Sequence, residues 1–450
     1  MNAIDDPAIA ADGLPPQLPR PEELVVARVG EPTVPSPMHG PFVGDDHGVL
    51  VSSDTRNLSP YIDRGLAPPA FEEAGPREHL FVEPGKVAAG IVTCGGLCPG
   101  LNDVIRSIVI TLHHGYGVRR VYGFRYGFAG LTPESGAPPM MLDPSAVEGI
   151  DQHGGTLLGS SRGPQDPSVM VDTLEELGVR LLFCIGGDGT LRGASAVARE
   201  ARIRGLDIAV VGVPKTIDND LFWVERSFGF ASAVEEATRA IDAAHAEARG
   251  AWNGVGIVKL MGRHSGFIAA HATLASNEVN LCLVPEVPFT LGGAGGVFDT
   301  LEQRLRARFH AVVVVAEGAG QELVGADGLG ADKSGNVRLA DIGTWMRDQI
   351  GSELGSRGLE PTVKYIDPSY TIRSLPANAF DAEYCLVLGQ QAVHAAMSGR
   401  TDMVVGYWHH HFTHLPIALA TQQRLRLDPG REVWQRVLHT TGQPSNLIGT

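Results

Sequence analysis

The run Gly186-Gly187-Asp188-Gly189-Thr190 stands between an apolar stretch and an alanine-rich one. Glycines let a backbone come close to phosphate oxygens, and a helix opening just after them adds a field that favours anions. Asp188, set among them, is a hard oxygen ligand suited to a magnesium ion that bridges phosphates. A tight strand-to-helix turn without a ligand needs neither three glycines nor a charge. A second run, Lys215-Thr216-Ile217-Asp218-Asn219-Asp220, puts two carboxylates beside a hydroxyl and an amide. An ordinary aspartate, with a pKa of about 3.9, is ionised at neutral pH and can take a proton from an attacking hydroxyl. The bland alternative for this run is an Asx turn that caps the next helix. A metal-phosphate beside a general base is the chemistry these two runs suit together.

Two more runs add to them. Gly95-Gly96-Leu97-Cys98-Pro99-Gly100-Leu101-Asn102 has a glycine pair where a nucleotide can enter, and residues 155–163 bring hydroxyls with Arg162 and Gly163, fit to hold donor phosphates. The elements that must position these runs are short apolar segments at 87–93, 179–185, 208–213, 255–259, 310–316 and 403–407. Near-continuous hydrophobicity marks strands buried on both faces, as in a parallel sheet. Helical patterns lie between them, such as 231–249, where Ala, Val and Ile recur at helical spacing. Polar and glycine-rich clusters directly follow five of these strands, the last two being Met261-Gly262-Arg263 and Glu317-Gly318. Carboxyl ends of strands in an open parallel sheet face one crevice, so the clusters should converge in space.

Bulk composition narrows the class. A chain of 450 residues is long enough for two lobes with cores of their own, and 43% hydrophobic with 6% aromatic residues suits an α/β protein. The formal charge of −15 disfavours nucleic acid or an anionic membrane as partner, while a few local cations suffice for phosphorylated small molecules. No apolar run reaches the length of a membrane span, and the acidic start MNAIDD does not read as a secretory signal, so the expected location is cytoplasmic. Cys94, Cys98, Cys184, Cys282 and Cys385 form no paired metal spacing and read as reduced, partly buried thiols. Prolines between Pro15 and Pro41 break any periodicity, which makes the first 85 residues an extension rather than a domain. The stretch 318–343 reads as a substrate lid or a plain insertion, and Trp345 and Met346 after it as core. His409, His410, His411 and His414 have no carboxylate or Cys at ligand spacing; His409 and His411 would share a face in a strand, and the group reads as a polar strand end.

Taken in order from about residue 86 to 417, these segments resemble the phosphofructokinase family. The shared pieces are the first glycine turn, GGTLLGSSR, GGDGT, TIDND, MGR with the Ser-Gly after it, AEG after a strand, and Tyr370-Thr371-Ile372-Arg373. GGLCPGLNDVIR, KYIDPSY and the long N-terminal extension are similar to the long subgroup that includes plant and trypanosomatid enzymes. The resemblance implies an α/β fold of two interleaved lobes, with parallel-rich sheets flanked by helices, plus the N-terminal extension. The expected divisions are 1–85 for the extension, 86–232 for a nucleotide-binding lobe, 233–373 for a fructose 6-phosphate-binding lobe, and 374–450 for a return segment and tail. It further implies transfer of a phosphoryl group from ATP to the 1-hydroxyl of fructose 6-phosphate, a glycolytic reaction, in a homo-oligomer (dimer or tetramer).

Carried over by residue, the resemblance implies that Asp218 is the proton acceptor and that Asp188 binds Mg2+. Gly96, Arg162, Gly163, Gly187, Asp188, Gly189 and Thr190 would hold the donor. Thr216, Ile217, Asp218, Met261, Gly262, Arg263, Glu317, Tyr370 and Arg373 would hold fructose 6-phosphate. The side-chain chemistry agrees, since Arg263 and Arg373 can fork onto a phosphate and Glu317 can accept from sugar hydroxyls. Two positions bear on the donor. Lys215 stands where many ATP enzymes have Gly and pyrophosphate enzymes have Lys, although some ATP enzymes of the long subgroup carry it too. Gly189 is the choice associated with ATP, because a carboxylate there would crowd and repel an α-phosphate with its nucleoside. ATP is favoured, and pyrophosphate is the alternative donor. NAD or lipid kinases share GGDGT but give no reason for MGR or Tyr-x-x-Arg, and a non-catalytic nucleotide-sensing paralogue would lack the base or the metal ligand.

Overall fold

A computed structural model describes residues 14–15, 17–325, 330 and 337–449. Residues 1–13 and 16 of the N-terminal extension, and 326–329 and 331–336 of the 318–343 stretch, lie outside the described residues. Contacts divide the chain into two units that alternate along the sequence. Unit 1 is Met1–Gly229 with Leu375–Arg424, and unit 2 is Phe230–Ser374 with Leu425–Thr450.

Unit 1 is built on a nine-stranded sheet. Its centre is five parallel strands in the order Arg120–Phe124, Ala88–Thr93, Val179–Gly186, Ala209–Pro214 and Met403–Trp408. Every residue of Ala88–Thr93 and Ala209–Pro214 is buried, which is why these segments read as unbroken apolar runs rather than alternating ones. Numbered along the chain, the spatial order is second, first, third, fourth, fifth. The order reverses between Ala88–Thr93 and Val179–Gly186, so the chain leaves these two strands toward opposite faces, and the crevice at such a reversal is where open α/β sheets bind ligands. Helix Asp188–Ile203 lies on the sheet through Leu191, Ala194, Val197, Ala198 and Ala201, an apolar stripe at helical spacing. Helix Ala379–Met397 supplies Cys385, Leu388, Ala392 and Val393 to the core on which Val104, Ile105 and Ile108 of helix Leu101–Ile110 also pack.

Antiparallel strands finish the sheet. His411–Pro416 pairs with Met403–Trp408, and the proline-rich N-terminal segment lends Ala70–Glu73 and Gly48–Leu50 beyond it. This edge is held by charge. Arg400, 1% exposed, meets Glu72 at 2.6 Å, and Arg77 meets the same carboxylate at 3.0 Å and Asp45 at 3.1 Å. His409 and His411 do not share the strand face expected of them, because His409 lies outside the strand, with His410, at the hairpin turn. His409 and His410 adopt positive φ, 48° and 68°, and form the turn between the two strands. His411 then faces Glu73 at 3.3 Å, and the fully buried His414 meets Glu72 at 3.2 Å.

Unit 2 carries a four-stranded parallel sheet in the order Leu281–Leu283, His310–Ala316, Gly254–Leu260, Thr362–Ile366. Helices Phe230–Arg249, Phe267–Ser276, Val297–Arg308 and Ile342–Ser356 flank it. Met346 is fully buried and Trp345 packs against the same core. The edge strand Leu281–Leu283 has a side chain in place of a further strand: Gln443 accepts from Cys282 N at 2.7 Å and donates to Cys282 O at 3.2 Å. All five cysteines are buried, and none forms a disulfide. Among the described residues no helix is long and apolar enough to cross a membrane.

Candidate active site

In unit 1 the polar clusters leave the carboxyl ends of three adjacent strands, two of which flank the reversal of strand order. Hydrogen bonds draw the turns together. Lys215 N donates to Gly186 O at 3.0 Å, and Cys94 N donates to Ile185 O at 3.0 Å. Lys215 Nζ donates to Gly96 O at 2.7 Å, so the lysine of the third turn holds the glycine pair of the first. Ser160 Oγ donates to Gly95 O at 2.6 Å and Gly95 N donates to Ser161 O at 3.1 Å, which lays the Arg162-Gly163 segment on the same turn. A Cβ built on Gly96 would stand 3.5 Å from Arg162 Nη2, and one on Gly187 would stand 3.3 Å from Lys215 O. Gly96, Arg162, Gly187 and Lys215 therefore gather in one place.

Asp188 opens its helix in the first turn, with its side chain 25% exposed. Arg192, one turn on, brings Nε to 3.2 Å from Asp188 Oδ1 and donates through Nη2 to Thr421 O at 2.7 Å. Arg424 stands 4.0 Å from Asp188 Oδ2 and 3.9 Å from Asp220 Oδ2. Neither arginine was singled out from the sequence. Arg192 had a usable signal in its i,i+4 spacing from Asp188. Arg424 had none, because it reaches the site through the fold alone. Thr190 is turned inward over Gly186, and a Cβ on Gly186 would overlap its side chain, so the threonine braces the turn. Gly189 differs: a Cβ there meets no atom within 4 Å.

The loop after Ala209–Pro214 is folded on itself. Thr216 Oγ1 donates to Asp220 Oδ1 at 2.6 Å. Asn219, at φ 53°, donates to Glu225 O at 3.1 Å and accepts from Ser227 N at 2.7 Å. Ser227 Oγ donates to Thr216 O at 2.5 Å, and Ile217 packs on the core. Asp218 is thus carried on a closed loop whose neighbours on both sides are pinned. Cys94 lies next to this cluster, but burial pushes its thiol up to about 11 against the pull of the Lys215 charge. It is protonated at neutral pH and contributes packing rather than a nucleophile.

Magnesium can be tested against the side chains. Among the described residues no group of three or more His, Cys, Asp or Glu could hold a metal ion. Asp188 offers one partly exposed carboxylate instead. That fits an ion that takes most of its ligands from substrate phosphates and water, which is the habit of magnesium in phosphoryl-transfer sites.

In unit 2 a second cluster forms at the carboxyl ends of Gly254–Leu260, His310–Ala316 and Thr362–Ile366. Glu317 N donates to Leu260 O at 2.8 Å and Gly318 N donates to Gly262 O at 3.1 Å, so the AEG and MGR turns are laced together. Gly262 has φ 128°, and a Cβ there would strike Ser265 O, so only glycine fits. Arg263 donates to Val337 O. Arg373 Nε lies 3.0 Å from the sulfur of Met261, which brings the Tyr-x-x-Arg and MGR segments side by side. Tyr370 is 81% exposed at the start of helix Ser369–Ser374. That helix is set by Asp367, which accepts from Ser369 N at 3.0 Å and pairs with Lys259 at 2.9 Å. Burial raises the Asp367 carboxyl, but Lys259 and Ser369 outweigh it and hold it below the usual range.

Three comparisons bear on this arrangement. A family model described as Phosphofructokinase matches residues 88–396. The chain is 51% identical over 412 residues to an ATP-dependent 6-phosphofructokinase of Amycolatopsis methanolica, covering 90% of each chain. It is 49% identical over 379 residues to an ATP-dependent 6-phosphofructokinase of Trypanosoma brucei brucei, covering 84% of this chain and 77% of that one. The crystal structure of a pyrophosphate-dependent phosphofructokinase from Marinobacter aquaeolei shares the fold with a TM-score of 0.66, at 20% identity, over 79% of this chain and 91% of that chain.

Proposed function

The chain belongs to the phosphofructokinase family, and from that premise we propose that it transfers the terminal phosphoryl group of ATP to the 1-hydroxyl of fructose 6-phosphate, giving fructose 1,6-bisphosphate and ADP. The observation that carries the reading is the gathering of Gly96, Arg162, Gly187 and Lys215 beside Asp188, at the reversal of strand order in a parallel sheet. Phosphoryl transfer asks little covalent chemistry of a protein and much positioning and charge stabilisation, and this inventory is suited to both.

The roles follow from the side chains. Gly96, Arg162, Gly163 and the 187–190 turn hold the donor, and Lys215 and Arg162 offset charge that builds on the phosphoryl oxygens. Asp188 would hold a magnesium ion, which would supply positive charge to neutralise and align the donor phosphates. Asp218 takes the proton from the sugar 1-hydroxyl as that oxygen attacks in line with the leaving group. Thr216 and Ile217 border this base. On the acceptor, Arg263 and Arg373 hold the 6-phosphate, while Glu317, Tyr370, Met261 and Gly262 hold the sugar. A cytoplasmic homo-oligomer, with no nucleic-acid or membrane partner, completes the reading.

Lys215 keeps pyrophosphate in view as a donor, whereas Gly189 and the 51% identical relative named for ATP favour ATP. Side-by-side kinetics with each donor on the purified protein decide between them. Turnover of fructose 6-phosphate is expected with ATP and only a trace with pyrophosphate; comparable rates with pyrophosphate would reject ATP as the dedicated donor.

A further inference from the structure

Among the described residues, Arg424 is the one guanidinium beside Asp188 that makes no hydrogen bond through its side chain. Among the described residues it makes only two long ion pairs, 4.0 Å to Asp188 and 3.9 Å to Asp220, and neither is a hydrogen bond. Arg192 has already taken the structural part, with Nε on Asp188 and Nη2 on Thr421 O. An arginine 38% exposed, at such distances, adds little to stability as a surface ion pair. Its place is nonetheless fixed from the backbone. Arg424 forms an antiparallel bridge with Leu221, the residue that follows Asp220, and the Arg192–Thr421 bond ties the same short segment to the helix of Asp188. The return segment thus brings a cation with open donors to a point between the two carboxylate-bearing turns.

We infer that Arg424 is a donor-binding residue, whose guanidinium takes phosphate oxygens of the nucleotide held at Asp188. The inference rests on the proposed kinase reading and names a further contact in the same site. A planar fork of N–H groups beside a metal-binding carboxylate matches the paired oxygens of a phosphate, and a charge-assisted pair there is stronger than either long contact to aspartate. The rival view makes Arg424 a placeholder for the metal, in which case its removal would tighten nucleotide binding.

The experiment compares the wild type with Arg424→Gln and Arg424→Lys, using calorimetric binding of magnesium with a non-hydrolysable ATP analogue, steady-state kinetics in both substrates, and thermal melts. Loss of a charged phosphate contact predicts that R424Q weakens analogue binding and lowers kcat/KM for ATP by about 10- to 100-fold. R424K should lie between, and KM for fructose 6-phosphate should stay within about twofold, since a donor-side contact does not touch uniform acceptor binding. Unchanged or tighter analogue binding in R424Q would overturn the inference, as would equal losses toward both substrates with a lowered melting temperature. A wild type that binds no nucleotide would instead overturn the kinase reading itself.

Discussion

Glycines of the same short run serve different masters. Gly186 is glycine for the fold, because any Cβ would overlap Thr190. Gly189 has open space around its Cβ position and no strained φ, so nothing inside the protein calls for glycine there. A helix's first turn would accept Ala at no cost or a small gain. On the proposed reading, the demand comes from the donor, which would need the room. Gly189→Ala is therefore expected to melt no lower than the wild type while losing catalytic efficiency toward ATP; a variant with normal ATP kinetics would separate Gly189 from the donor. Asp218 carries the opposite kind of constraint, with Thr216, Asn219 and Ser227 closing its loop. Asp218→Asn keeps the size and removes the proposed base. Turnover should fall by about a hundred- to ten-thousand-fold, the usual share of a general base, with fructose 6-phosphate binding little changed. Near-normal turnover would take the proton transfer away from this residue.

Elements were readable from the sequence where one physical signal dominated. Strands buried on both faces leave unbroken apolar runs, and the segments expected at 87–93, 179–185, 208–213 and 310–316 are strands within a residue or two. The clusters after them fall at carboxyl ends because a parallel sheet lets its helical crossovers begin only there. Elements were obscured where pairing is set by distant partners. Ala70–Glu73 has no apolar run of its own and becomes a strand by pairing with His411–Pro416 across most of the chain. Its Glu72 meets Arg400 and His414, contacts that carry no local spacing. The His409-His410 turn was hidden because two consecutive residues at positive φ are set by closing the hairpin, although histidine tolerates that region better than most residues. Arg424 is the functional counterpart, delivered by a single backbone bridge to Leu221.

At the scale of the whole molecule, the buried titratable groups of unit 1 give the protein an acid limit. His394, 6% exposed on helix Ala379–Met397, shares a hydrogen bond of 2.8 Å with Tyr116 Oη. Burial, with lesser help from His414 and Arg77, pushes its pKa down to about 4 from an ordinary 6.5. His414 is pushed the same way by burial, against the pull of Glu72. Burial raises the Asp45 carboxyl, but Arg400 and Arg28 outweigh it and hold it at about 2. All three folded values lie below those of the unfolded chain, so all three have one sign: the unfolded state binds protons first as pH falls, and stability present at neutral pH is lost on acidification. His394 and His414 act first, from pH 6.5 downward, and Asp45 follows below the ordinary carboxylate range. For His394 alone the loss between pH 6.5 and 4 is about 3 kcal/mol, a shift of two to three units at about 1.4 kcal/mol each. Melting temperatures at one scan rate should therefore decline steadily from pH 7 to pH 4.5, before carboxylates dominate. His394→Gln, which keeps a hydrogen-bonding partner for Tyr116 but cannot titrate, should show a shallower decline that His414 keeps from vanishing. Parallel curves for the two proteins would mean that His394 titrates alike in the folded and unfolded chains, and would remove it from the acid limit.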